Sequence, residues 1–220
     1  MSVKASTLKA VDDLIERYPA LSACKDDLVA AVEAICESYR AGHKLIACGN
    51  GGSASDSEHI VGELMKGFLL KREIKGELAE KIRANCGEDA QYLIDNLQGA
   101  LPALSLVNQV ALNTAFANDQ APDLSFAQQL LGMGDEGDVL LAISTSGNST
   151  NVIYALEMAK VKGVKSIGLL GHSGGKIKAR GLADINICVP EDETFKIQEL
   201  HLPVYHMLCI AVENEFFGDC

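Results

Sequence analysis

Residues 44–64 read KLIACGNGGSASDSEHIVGEL. The apolar run Leu45 to Cys48 ends in a loop containing Gly49, Gly51 and Gly52. From Asp56 onward Ile60, Val61 and Leu64 return at helical spacing, which predicts a helix to about Phe68. A short buried strand, a glycine turn and a helix make one βα unit. The same order recurs down the chain. LPALSLV (101–107), DEGDVLLAIST (135–145), VKSIGLLGHSGG (164–175) and ADINICVP (183–190) read as further strands. Residues 113–134 read as a loop and then a helix, with Pro122 and Asp123 near the helix start, and residues 146–163 as a loop and an amphipathic helix. Strands alternating with helices predict an α/β fold, a central parallel sheet flanked by helices on both faces.

Outside this core, residues 6–41 carry apolar positions at helical spacing: Leu8, Val11, Leu14 and Ile15, then Leu28, Val29, Val32, Ile35, Cys36 and Tyr39 after Pro19. Gly42 stops the run. Residues 69–96 are rich in charge and read as a solvated helical insertion. Residues 192–217, DETFKIQELHLPVYHMLCIAVENEFF, read as a long terminal helix.

The 220 residues suit one domain with an elaboration, and 48% hydrophobic content allows a sizeable core. A net charge of −11 argues against a phosphate-backbone footprint, so no nucleic-acid partner is expected. The seven cysteines (Cys24, Cys36, Cys48, Cys86, Cys188, Cys209 and Cys220) form no C-x-x-C pair. That pattern reads as reduced thiols and a cytoplasmic protein. The amino terminus has no apolar h-region, and no apolar run reaches the ~18 residues of a membrane span, so no membrane partner is expected.

Two loops carry chemistry. Residues 144–150, STSGNST, follow an apolar strand and open a helix. Ser144, Thr145, Ser146 and Ser149, with the helix-terminal amides, form the kind of donor ring that encloses a phosphate without a lysine. A plain helix cap would need only one or two of these hydroxyls. The stretch is neither a nucleotide P-loop nor a dinucleotide fingerprint. The loop at Asn50, Gly51 and Ser53 offers polar contacts to a sugar, although glycine here also serves a tight turn. Loops of this kind lie beyond the carboxyl ends of the strands, where ligands of such sheets bind.

His59 and Glu63 stand four residues apart, about 40° around a helix. They are either an ordinary surface pair, or two metal ligands, or a catalytic carboxylate beside an imidazole. On the terminal helix, His201 and His206 lie about 140° apart and face different directions. Gln198 and His206 are about 80° apart and separated by ~12 Å of rise, near the limit of reach to one ion. Pro203 between them removes a helical hydrogen bond at the Glu199 carbonyl. His43 and His172 fall in turns and read as surface residues.

CGNGGSASDSEH with Glu63, ISTSGNSTNVI and IQELHLPVYH together resemble the sugar isomerase (SIS) domain family, and within it the phosphoheptose isomerases. The resemblance spans most of the chain. It implies a three-layer α/β sandwich, usually a homotetramer, with active sites between subunits. The implied reaction converts D-sedoheptulose 7-phosphate to D-glycero-D-manno-heptose 7-phosphate, a step feeding heptose for lipopolysaccharide or other bacterial glycans. It implies one zinc per subunit on His59, Glu63, Gln198 and His206. Ser144, Thr145, Ser146 and Ser149 would hold the phosphate, and Asn50, Gly51 and Ser53 would line the sugar. Thr194 and Gln198 would touch substrate too. Glu63 would be the base of an enediol mechanism and His206 its partner at the oxygen. The sequence departs from the family pattern at Asn108–Gln109, where an Asp is common, in the length of residues 69–96, and at Pro203. These departures keep open an isomerase or sensor of another sugar phosphate. A non-catalytic SIS tetramer that binds protein, of the replication-initiator-associating type, is a further reading of the same scaffold.

Overall fold

The computed structural model describes residues 3–218. Five parallel strands form one sheet in the order β2-β1-β3-β4-β5: β1 Leu45–Cys48, β2 Ala103–Ser105, β3 Val139–Ser144, β4 Lys165–Leu170 and β5 Ile185–Cys188. Both faces of the sheet are covered, so β1 and β3 are buried at every position. Side chains alternate between two cores. Leu45, Ala47, Val139, Leu141 and Ile143 join one, and Ile46, Cys48, Leu140 and Ala142 the other.

The first core is closed by helices α1 (Ala5–Arg17), α2 (Lys25–Arg40), α3 (Gly52–Met65) and α10 (Thr194–Phe217). The second is closed by α7 (Ser125–Met133), α8 (Thr150–Lys162) and α9 (Gly175–Ala179). The expected three layers are therefore present. Strand order reverses between β1 and β3, so the connections leaving these neighbours diverge and open a crevice at their carboxyl ends.

Three local expectations change. Helix α3 begins at Gly52, four residues before the expected start at Asp56. The amide of Gln198 occupies the space where a Gly52 side chain would stand, with Nε2 only 2.5 Å from an ideal Cβ, so a glycine lets α10 lie against the first turn. Residues expected as loop before Pro122 form helix α6 (Val110–Asp119). It buries no residue in the chain, so it lacks the apolar stripe that marks a helix in sequence. The segment 69–96 does contain helices, α4 (Gly76–Asn85) and α5 (Ala90–Asn96), with Leu78 and Tyr92 exposed. Its start is only partly solvated, because Arg72 and Ile74 are buried between the exposed Leu69, Lys71 and Glu73.

Pro203 sits inside α10, which runs on past it. The six described cysteines are free thiols, and Cys220 lies outside the described residues. Among the described residues no helix is long and apolar enough to cross a membrane.

Candidate active site

The two chemistry-bearing loops leave adjacent strands and are fastened to each other. Asn50 Nδ2 donates to Asn151 Oδ1 at 2.8 Å, and Asn151 Nδ2 donates back to Asn50 Oδ1 at 2.9 Å. This reciprocal amide pair ties the β1 loop to the first turn of α8. Gly51 has φ +58°, which lets the chain turn from strand into α3. Ser53 is buried and its N–H donates to the Asn50 carbonyl at 3.1 Å.

In the second loop the hydroxyls of Ser144 and Ser149 lie 3.0 Å apart across the turn. Ser146 Oγ accepts from the Asn148 N–H, and the Thr145 carbonyl accepts from the Gly171 N–H. Gly147, at φ +62°, packs where a Cβ would stand 2.1 Å from the Gly174 carbonyl. The loop is thus braced from behind by the β4 turn, and its hydroxyls and the α8 amino terminus form a donor set suited to a phosphate.

On α3, His59 Nε2 contacts Glu63 Oε1 at 3.2 Å. Glu63 Oε2 accepts from Lys66 Nζ at 3.0 Å. From α10, the His206 ring stands edge-on to His59 with centroids 5.1 Å apart, and the Phe68 ring packs on it at 5.4 Å. His206 Nε2 is buried without a hydrogen-bond partner. Burial, and then the neighbouring His59, hold the His206 imidazole below its usual pKa, which favours the neutral form. His59 Nδ1 lies 3.0 Å from the Tyr205 hydroxyl.

His59, Glu63 and His206 therefore come together, as the two expected ligand segments require. Gln198 instead lays its amide over Gly52, in the first turn of α3. Thr194 opens α10 at the surface. His201 turns into the core, fully buried, and His172 is exposed beside Asp192. Asn108 and Gln109 lie exposed between β2 and α6.

An imidazole and a carboxylate already in contact, with a second, half-buried imidazole whose Nε2 has no partner, are N/O donors of the kind zinc takes. Among the described residues, no group of three or more His, Cys, Asp or Glu converges as a closed ligand set. The donors fit in kind but do not close into a ligand set among the described residues.

Four participants escape the sequence reading. Asn151 follows the hydroxyl cluster directly and was open to notice on that ground. Tyr205 adjoins His206 in an apolar run and carries the run's hydroxyl. Lys66 is one turn past Glu63. Arg72 carries no signal, since an Arg in a charged stretch reads as solvated.

The SIS domain profile matches residues 8–95 and 93–171. A phosphoheptose isomerase of Akkermansia muciniphila is 34% identical over 205 residues, covering 93% of this chain and 94% of that one. One from Nitratiruptor is 39% identical over 183 residues, covering 83% of each. Among solved structures, the phosphoheptose isomerase of Neisseria gonorrhoeae superposes with a TM-score of 0.69 at 29% identity, covering 96% of this chain and 94% of that one.

Proposed function

The chain belongs to the SIS domain family, and from that premise we propose that it converts D-sedoheptulose 7-phosphate to D-glycero-D-manno-heptose 7-phosphate through an enediol. It is a phosphoheptose isomerase, an aldose–ketose isomerase of heptose metabolism. The observation that carries the assignment is the juxtaposition at the β1/β3 crevice. A hydroxyl loop fastened to a glycine loop lies next to a helix that presents Glu63 against His59, with His206 alongside.

Ser144, Thr145, Ser146 and Ser149 bind the phosphate with the amino terminus of α8. Anchoring that end sets the register of the sugar over Asn50, Gly51 and Ser53, so binding energy far from the reacting carbons orients them. Thr194 and Gln198 contact the sugar from α10. Glu63 takes the proton from the carbon next to the carbonyl and returns it to the neighbouring carbon. Its hydrogen bond from Lys66 and contact with His59 hold the carboxylate in place. His206 manages the oxygen proton, a role that its preference for the neutral form supports. One zinc per subunit, held by His59, Glu63, Gln198 and His206, would supply charge stabilisation at the developing enediolate oxygens.

We further propose a homotetramer with sites between subunits. In its support, His206 borders a cleft of about 670 Å³ between α1 and α10, lined by Leu14, Arg17, Leu202 and Ile210, and α6 buries no residue. The free thiols support a cytoplasmic location.

Glu63→Gln keeps the shape of the side chain and removes its basicity. It should lower kcat by about 10²- to 10⁴-fold with an unchanged unfolding transition. Sedoheptulose 7-phosphate turnover by the wild type is measured beside it, with and without a chelator. Normal turnover by Glu63→Gln overturns the mechanism. Capture of a protein partner by a chain that isomerises no C5–C7 sugar phosphate points instead to the non-catalytic reading.

A further inference from the structure

Four successive carbonyls of the hydroxyl loop already accept hydrogen bonds within the fold. The Ser144 carbonyl accepts from the Gly147 N–H at 3.2 Å, and the Thr145 carbonyl from the Gly171 N–H at 3.0 Å. The Ser146 carbonyl accepts from Asn148 Nδ2 at 2.8 Å, and the Gly147 carbonyl from the Ile177 N–H at 3.1 Å. A carbonyl oxygen left bare beside a phosphate would repel it. Occupying all four removes that competition from a loop whose hydroxyls are donors.

Asn148 is the side chain that joins the two halves of this arrangement. Its Nδ2 holds the Ser146 carbonyl, while its Oδ1 accepts from the Lys176 N–H at 3.0 Å. One amide thus bridges the hydroxyl loop to the first turn of α9. The Asn148 main-chain N–H donates to Ser146 Oγ at 3.2 Å, so that oxygen is an acceptor toward the protein and its own hydrogen stays free. The backbones also meet closely. An ideal Cβ on Gly147 would stand 2.1 Å from the Gly174 carbonyl oxygen, and one on Gly175 would stand 2.3 Å from that of Ser146. The shape of the hydroxyl loop is therefore set against the β4–α9 turn. Asn148 itself is exposed, so its bonds add little to global stability, and their effect falls on the shape of the loop.

We propose that Asn148 is a positioning residue for phosphate binding, clamping the hydroxyl loop to the β4–α9 turn in its anion-accepting form. The inference rests on the phosphate reading above. Both polar atoms of the side chain are engaged with the main chain, so Asn148 acts through Ser146 rather than as a ligand.

The test uses the full chain, with inorganic phosphate as the probe. Its Kd is read by ³¹P line broadening, beside kcat and KM for sedoheptulose 7-phosphate. Asn148→Ala should raise the phosphate Kd and the KM together, by about 10-fold, with kcat nearly unchanged. The urea midpoint should stay in place, and amide exchange at Lys176 should accelerate. Gly175→Ala keeps Asn148 but sets a Cβ against the Ser146 carbonyl, and should weaken phosphate in the same way. The two changes combined should cost less than the product of the single effects, because they break one device. Should Gly175→Ala not fold, Asn148→Ala with its Lys176 exchange carries the test. A wild-type phosphate Kd in Asn148→Ala overturns the proposal, and so does one in a folded Gly175→Ala. A weakened Kd with Lys176 exchange unchanged overturns it too, since Asn148 would then touch phosphate directly. In each of these cases the wild type still binds phosphate, and only the clamp falls. A wild type that binds none removes the phosphate reading and the clamp together.

Discussion

The end of α3 lies between two polar clusters that use their hydrogen-bonding groups in opposite ways. On one side Arg72 and Glu213, both with fully buried side chains, pair through Nε and Oε1 at 2.8 Å. Arg72 donates also to the carbonyls of Leu64 and Glu63, at 2.6 and 3.1 Å, and lies over the Phe217 ring. Glu213 accepts from the N–H groups of Phe68, Leu69 and Leu70. Every strong acceptor site of that carboxylate is taken. On the other side stand His59, Glu63 and His206, with His206 Nε2 buried and unpartnered. The first cluster is a closed account of donors and acceptors, and it fixes the backbone of Glu63. The second leaves capacity open beside a cleft. A saturated buried network specifies a scaffold, whereas an unsaturated one in reach of ligand marks where chemistry occurs.

Breaking the closed cluster should have the larger structural effect. Arg72→Met leaves Glu213 as a buried, half-compensated charge and should cost about 3–5 kcal/mol in urea unfolding. It should also lower kcat, because the carbonyl of Glu63 loses its anchor. A loss below about 1 kcal/mol would mean that the cluster is less closed than its geometry indicates.

His201 sharpens the contrast, since it is buried and unsaturated yet does not line that cleft. Both ring nitrogens lack a hydrogen bond within the chain, although the Leu170 main chain lies near enough to act on the ring. Burial pushes its pKa down to about 4. Between about 4 and 6.5 the unfolded chain then binds the proton that the folded chain refuses. Its stabilising contribution is complete above pH 6.5 and is lost as pH falls toward 4, by about 3 kcal/mol at most. Urea midpoints across that window should slope upward with pH, and His201→Phe should flatten the slope. A wild-type midpoint that stays level from pH 6.5 to 4 would contradict it.

The smallest effect belongs to the clip between the loops. Asn50→Ala removes the reciprocal amide pair at a site open to water, so stability should change by no more than about 1 kcal/mol. The KM for the sugar phosphate should rise several-fold with kcat less affected, because the clip aligns the glycine loop with the hydroxyl loop. Steady-state kinetics separates the two parameters, and an unchanged KM would show that the loops hold their register alone.

The parts of this fold with strong periodicity are legible in the sequence. The five strands, helices α1, α2, α8 and α10 and the covered parallel sheet follow from runs such as Leu45 to Cys48 and from the stripe Leu28, Val32, Ile35 and Tyr39. Helix α6 was not legible, because it buries nothing within the chain and so carries no stripe. The start of α3 was missed because glycine and serine read as loop, and only the approach of Gln198 explains Gly52 there. The pairing of His59 with Glu63 followed from spacing, but spacing alone favoured an ordinary surface pair.

By itself, the sequence determined the layered α/β architecture, the family and the two chemistry-bearing loops. These depend on local periodicity and short contiguous motifs, which a chain carries in its own order. Only the tertiary structure decided which groups complete those motifs across long separations. It brought Asn151 to Asn50, Tyr205 to His59 and Glu213 to Arg72, 101, 146 and 141 residues apart. Hydrogen bonds of that span depend on how α10 and α8 pack on the sheet, and packing is a property of the folded surfaces that no local pattern encodes.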